Sequence, residues 1–315
     1  MRSRSPRAVV ALLASLLLAS MPAGALAQSP AASPDASGSV TVTDATGTPV
    51  EITDASRVVT LGGVITEIAY ALGAGDQVVA IDASSYFPPE ALQGKMVLPY
   101  YRTLAAEPVL AAAPSLIIGT NEVGPPEVVQ QLRDAGITTL LLSQDLTLDG
   151  TDALITTIGQ ALGRDAEAAE LTASVDADLA AAAELVGSAT SSPKVMMVLL
   201  PPGAPLLVSG RETAAATMIG LAGATNAVEM FPDYIPLSPE ITAAAQPDII
   251  LTTTDSLERA GGAEALAALP GIAETPAGAS GTIVAMEDLY LLGFGPRIGQ
   301  AVAELAGELH PELAQ

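Results

Sequence analysis

Short apolar runs recur along this chain, separated by longer stretches whose apolar positions fall at helical spacing. Arg57-Val58-Val59-Thr60-Leu61 reads as a buried strand, Gly62-Gly63 as the turn after it, and Ile65 to Leu72 as a helix closed by Gly73. Val78 to Ile81 is the next strand, followed by the loop Ser85-Tyr86-Phe87-Pro88-Pro89. Leu116 to Gly119 is another, feeding a helix opened by Pro125-Pro126 and closed by Gly136, and Thr138 to Leu142 is a further strand. Strands alternating with helices predict an α/β fold with a parallel sheet covered on both faces. Ahead of these units, Ser39 to Thr43 and Thr48 to Thr53 flank the turn-like Asp44-Ala45-Thr46-Gly47. They predict an antiparallel hairpin, with Pro49 placing the second strand at an edge.

From about Asp152 to Gly187 the helical pattern is nearly unbroken, and Asp165 to Val186 holds neither Gly nor Pro. After Ser191-Ser192-Pro193 strands return at Lys194 to Leu200, Ile249 to Thr252 and Thr282 to Met286, with a helix near Thr213 to Ala222. The pattern predicts two Rossmann-like α/β lobes joined by one long helix, with a ligand cleft between them at the carboxyl ends of the strands. The division is 39–163 for the first lobe, 164–188 for the connecting helix and 189–315 for the second lobe. An internal echo supports duplication. Glu107 is followed by Pro114 and then Leu116-Ile117-Ile118; Glu240 is followed at the same offset by Pro247 and then Ile249-Ile250-Leu251.

The amino-terminal pattern is of another kind. Arg2, Arg4 and Arg7 precede the apolar run Ala8 to Ser20, and Ala25-Leu26-Ala27 offers small residues for cleavage. Residues 1–27 therefore read as a cleavable export signal and 28–38 as a flexible leader. Without the signal, nine basic residues face 35 acidic ones, a formal charge of −26. That balance argues against nucleic acid and anionic membrane as partners. The absence of Cys rules out disulfides, thiolate metal sites and a lipid anchor through a Cys. The single His, His310, lies in the terminal tail and Gly-x-Ser-x-Gly is absent, so a hydrolase built on a Ser-His-Asp triad or zinc is disfavoured.

Among so few candidate ligands, Leu98-Pro99-Tyr100-Tyr101-Arg102-Thr103-Leu104 is conspicuous. If the segment is extended, as Pro99 favours for Leu98, Tyr100 and Arg102 share a face and Tyr101 opposes them. A phenol beside a fixed positive charge has its phenolate favoured, a hard oxygen donor suited to ferric iron. The heptapeptide alone fits at least as well a tyrosine ring packed on a loop with its arginine in solvent. Tyr86, Tyr100, Tyr101, Tyr234 and Tyr290 all fall in or beside loops, as do Arg102, Arg211 and Arg297. Tyr and Arg on cleft loops of an acidic protein suit a flat, aromatic, anionic ligand.

Several runs resemble the periplasmic haem-binding proteins of bacterial ABC importers, members of a helical-backbone superfamily that also carries corrinoids and siderophores. They are Arg57 to Gly73, Tyr100 to Glu107, Gly124-Pro125-Pro126-Glu127, Gly210 to Ala215 and, most specific, Leu289 to Arg297 with its Gly-Phe-Gly-Pro-Arg. The resemblance implies a non-enzymatic carrier of ferric haem b, monomeric, that hands its cargo to a membrane permease with its ATPase. It implies that Tyr100 is the axial iron ligand, with Tyr101 as second candidate because Pro99 replaces the family's Gly. Arg102 and Arg297 would pair with the haem propionates, with Arg211 and Tyr290 as further contacts, and Glu107 and Glu240 would dock on the permease. No His is offered for a second haem. The connecting helix would keep ligand-induced closure small, and a corrinoid or ferric siderophore on the same scaffold is the alternative cargo.

Overall fold

The computed structural model describes residues 38–314; the expected export signal at 1–27 and the expected leader, up to residue 37, lie outside the described residues. Val40–Thr43 (β1) and Pro49–Ile52 (β2) form the expected antiparallel hairpin, Val40 opposite Ile52. Asp44 closes its turn by accepting from the backbone N–H of Thr46 (2.8 Å) and Thr48 (3.0 Å), a turn role its short side chain favours.

The first lobe is a wholly parallel sheet in the order β5-β4-β3-β6-β7. Its strands are β3 (Val58–Leu61), β4 (Val78–Asp82), β5 (Met96–Leu98), β6 (Leu116–Thr120) and β7 (Thr138–Leu142). Helices α1 (Gly63–Ala71), α2 (Ala106–Ala111), α3 (Pro126–Asp134) and α4 (Leu148–Leu162) accompany them. Every residue of β3 and β6 is buried, as expected of parallel strands covered on both faces.

The second lobe holds β8 (Lys194–Leu199), β9 (Leu207–Ser209), β10 (Thr225–Asn226), β11 (Tyr234–Pro236), β12 (Ile249–Thr253) and β13 (Ile283–Met286). The sheet order is β11-β9-β8-β12-β13; β10 pairs with β8, and β9 runs antiparallel to both its neighbours. Between the long α5 (Asp165–Val186) and the last helix, α12 (Ile298–Leu309), the connections carry α6 (Ala214–Leu221), α7 (Pro239–Ala245), α8 (Thr254–Ala260), α9 (Ala263–Ala267), α10 (Pro276–Ser280) and α11 (Asp288–Leu292). The predicted duplication is visible. In each lobe a glutamate-bearing short helix, α2 or α7, precedes the strand that lies beside the central one, β6 beside β3 and β12 beside β8.

The long helical run is two helices. Gly163 takes the left-handed conformation (φ 66°, ψ 38°) and caps α4, leaving the 22 residues of α5 as the connector. At about 1.5 Å per residue α5 reaches about 33 Å. Its buried stripe is Ala168, Val175 and Ala182, and it packs against α4 of the first lobe and α12 of the second. Small residues make those crossings close. A Cβ on Gly159 would stand 2.5 Å from the Ala168 methyl, and one on Gly299 would stand 2.6 Å from the Asp178 backbone. Gly299→Ala is therefore expected to destabilise the protein by about 1–3 kcal/mol in denaturant unfolding, since overpacking outweighs the ~1 kcal/mol that alanine gains in a helix.

His310 does lie near the end of the chain, but not free of the fold. It is fully buried at the end of α12, its ring nitrogens facing the Ala222 carbonyl (3.0 Å) and the Ser191 hydroxyl (3.2 Å). Ser191 also donates to Glu312 (2.7 Å), and this bond chiefly holds the Glu312 carboxyl down at about 2. The His is thus a staple for the carboxyl-terminal turn. The main apolar cluster runs from β3 and α1 through α4, α5 and α12 into the second lobe. The remaining sheet face of each lobe has a cluster of its own.

Candidate functional site

The carboxyl ends of the first lobe's strands open onto a groove of about 500 Å³. Its walls come from Gly62-Gly63 after β3, Ser84 and Tyr86 after β4, Tyr100 to Arg102 after β5, and Thr120 and Glu122 at and after the end of β6. Across it stand Tyr234 of β11, Asp288, Leu289 and Leu292 of α11, and Gly293 just after it. A separate hollow of about 410 Å³ beside the hairpin is lined by Asp44, Asp145 and Asp149 and by no basic residue, so an anion has no reason to enter it. The groove therefore lies between the lobes, where sequence placed it.

Within the tyrosine loop the structure corrects the expected geometry. The backbone is extended only through Tyr100 (φ −53°, ψ 132°); Tyr101 to Thr103 turn into a single 3₁₀ turn. Thr103 N–H closes it on the Tyr100 carbonyl (2.8 Å), and Gly124 N–H donates to the Tyr101 carbonyl (3.0 Å). Arg102 consequently meets Tyr101 rather than sharing a face with Tyr100. Its Nε donates to the Tyr101 hydroxyl oxygen (3.1 Å), its guanidinium carbon lies 5.4 Å from that ring's centroid, and it forms an ion pair with Glu122. The Tyr101 hydroxyl in turn donates to Glu122 (3.3 Å). Tyr101 is 9% exposed and packs in the apolar cluster of the first lobe's sheet, whereas Tyr100 is 43% exposed on the groove. The two rings lie 4.6 Å apart at 55°. Burial pushes the Tyr101 phenol up more than its bond from Arg102 pulls it down. The charge-beside-phenol argument is thus outweighed at Tyr101 by desolvation.

Arg297 and Tyr290 do not line the groove. Arg297 donates from Nε and Nη2 to the two oxygens of Glu67 (2.7 and 2.9 Å), a carboxylate side chain 3% exposed on α1. Its guanidinium is sandwiched between Phe87 (3.5 Å to the ring centroid) and Tyr290 (4.8 Å). Burial pushes the Tyr290 phenol up to about 12. Neighbouring contacts cross the same junction. Tyr86 donates to Glu287 and accepts from Leu289 N–H (3.0 Å), Gln144 donates to the Gly293 carbonyl (2.7 Å), and Thr151 donates to that of Phe294 (3.0 Å). The Gly-Phe-Gly-Pro-Arg segment therefore seals the lobes together. Arg211 is exposed and paired with Glu212 (3.0 Å), outside the groove lining. Glu107 and Glu240 are the second residues of α2 and α7, both exposed. Each of these helices leaves the carboxyl end of one strand to return to the amino end of another, so each glutamate sits on the rim side of its lobe.

Sequence reasoning did not single out Glu122, Glu67 or Asp82 for the site. Tyr86 and Tyr234 were legible as loop tyrosines. Nothing in the order of residues marks Glu122 as the partner of Arg102, twenty positions away.

The profile of the family described as "Periplasmic binding protein" matches residues 58–289. Among solved structures, the periplasmic heme-binding protein RhuT from Roseiflexus sp. RS-1, in apo form, is 40% identical, with a TM-score of 0.79 over 83% of this chain and 100% of that one. The periplasmic heme-binding protein BhuT in complex with two hemes is 37% identical, with a TM-score of 0.77 over 82% of this chain and 98% of that one. A cobalamin-binding protein of Halobacterium salinarum is 31% identical over 320 residues, 98% of this chain and 85% of that protein.

Proposed function

The chain belongs to the periplasmic binding protein family, and we propose that it binds haem in the interlobe groove and delivers it to an ABC importer for iron acquisition. It is a transport component, not an enzyme. The observation that carries the haem reading is the groove itself, where two adjoining tyrosines and an arginine meet between lobes. The likeness to haem-binding structures across the whole fold supports it.

The cargo is ferric haem b, with the Tyr100 phenolate on iron. Tyr100 is favoured over Tyr101 because its ring is exposed to the groove while the Tyr101 hydroxyl is already shared between Arg102 and Glu122. Arg102 exchanges its exposed pair with Glu122 for a propionate, a trade between two carboxylates that costs little at the surface. Arg297 serves the lobe junction, because a buried bidentate carboxylate already satisfies its fork. Glu107 and Glu240, one on each rim, meet basic residues of the permease. The protein is exported by a cleaved signal and acts as a monomer.

Absorbance titration with ferric haem tests the reading, with cobalamin and a hydroxamate siderophore as competitors. Haem is expected to bind and to resist both. Displacement of haem by cobalamin at comparable concentration would assign the groove to corrinoids instead, the second reading that the cobalamin-binding relative supports. Arg102→Ala is expected to weaken haem about tenfold, the value of one charged hydrogen bond; unchanged affinity would take Arg102 off the propionate.

A further inference from the structure

Asp82 ends β4, is fully buried, and forms no ion pair with any basic side chain among the described residues. Its two oxygens are instead occupied by neutral donors from three separate loops. Oδ1 accepts from Gly62 N–H (2.8 Å) and from the Ser85 hydroxyl (3.0 Å). Oδ2 accepts from Ser84 N–H (3.0 Å) and from Tyr101 N–H (3.2 Å), while the Ser84 hydroxyl reaches both oxygens (3.0 and 2.8 Å). Behind it a buried hydroxyl relay runs from Ser85 to Thr66 (2.6 Å) and on to Thr60 (2.7 Å), anchoring the cluster in α1 and β3. The donors leave no room for loose packing: a Cβ on Gly63 would lie 2.5 Å from the Ser84 carbonyl oxygen.

A buried unpaired carboxylate is costly unless every lone pair is used, and a carboxylate is the one side chain of this size that only accepts. Asparagine would turn an N–H₂ group toward N–H groups. The gain from keeping the acid is that one side chain holds the Gly62-Gly63 part of the groove wall to the part that carries the tyrosines.

We propose that Asp82 is the positioning residue of the tyrosine loop: by fixing Tyr101 N–H it sets the turn from which the Tyr100 phenol faces the groove. The function of this hold rests on the haem reading above; the hold itself is present without ligand. Three measurements test it. In the wild-type, haem-free protein the Tyr101 amide is expected to be protected from hydrogen exchange, and exchange at the rate of a free amide overturns the inference without any variant. In Asp82→Asn, exchange across residues 99–104 and 61–64 is expected to quicken while β12 and β13 of the other lobe stay unchanged. The same variant is expected to lose about 10- to 100-fold in ferric-haem affinity, the range for groups that orient a metal ligand, with a weakened phenolate-to-iron absorption band. Asp82→Asn that binds haem with wild-type affinity and band removes the inference and leaves the haem reading standing. A wild-type protein that does not bind haem removes that reading, and with it the role of Asp82 toward iron.

Discussion

Tyr100→Phe is expected to lower ferric-haem affinity at least about 100-fold and to abolish the phenolate-to-iron band, while Tyr101→Phe keeps the band. The lower bound follows from scale: losing a group that merely orients a metal ligand costs up to about 100-fold, and losing the ligand itself costs no less. Phenylalanine keeps the tilted ring contact at 4.6 Å, so the loss isolates the oxygen. Tyr101→Phe acts differently, because its hydroxyl bridges Arg102 and Glu122 on the groove wall. It is expected to cost about 1–2 kcal/mol of folding stability and a few-fold in haem affinity through a less well held Arg102. The opposite outcome, a band lost in Tyr101→Phe and kept in Tyr100→Phe, would move the iron to Tyr101.

Glu67→Ala is expected to destabilise the protein by up to about 3–5 kcal/mol, because it leaves the guanidinium in the lobe junction with only the more distant carboxylate of Glu287 (4.0 Å). Arg297 would be left between Phe87 and Tyr290 without its bidentate partner. In a chain of this size that loss corresponds to a fall of about 10 °C in the thermal midpoint. Burial pushes the Glu67 carboxyl up and Arg297 draws it back down, so the pair's net worth is modest even though breaking it is expensive. The double variant Glu67→Leu/Arg297→Met should therefore recover most of the lost stability and bind haem within a few-fold of wild type. If Arg297→Ala instead lost haem affinity at an unchanged thermal midpoint, Arg297 would be a ligand contact, as the family resemblance implies, and the junction role would fail.

These two cases differ in how far residue order could reach. Nine of the thirteen strands among the described residues were legible as short runs of strand-forming residues, whereas β5, β9, β10 and β11, two or three residues each, were not; α5 was legible because Asp165 to Val186 contains nothing that ends a helix. The equal Glu-to-Pro spacing of the two lobes reappears as two glutamates at the second position of equivalent helices. The facing of the tyrosines was not legible. The rule that side chains two apart share a face holds only while the backbone stays extended. Here the chain turns after Tyr100, with Asp82 holding the next N–H from nineteen residues upstream. Arg297 was read as a ligand residue from its motif, and the carboxylate that claims it lies 230 positions earlier.

By itself the sequence determined the α/β class, the two lobes and their helix, the rim that carries the groove, and the small set of tyrosines and arginines the chain has to offer there. Those are local quantities, carried by periodicity, by breakers and by which residue types occur at all. Only the tertiary structure decided which phenol is free and which guanidinium is spent. Both depend on which partner reaches a desolvated junction first, and separation along the chain says nothing about that.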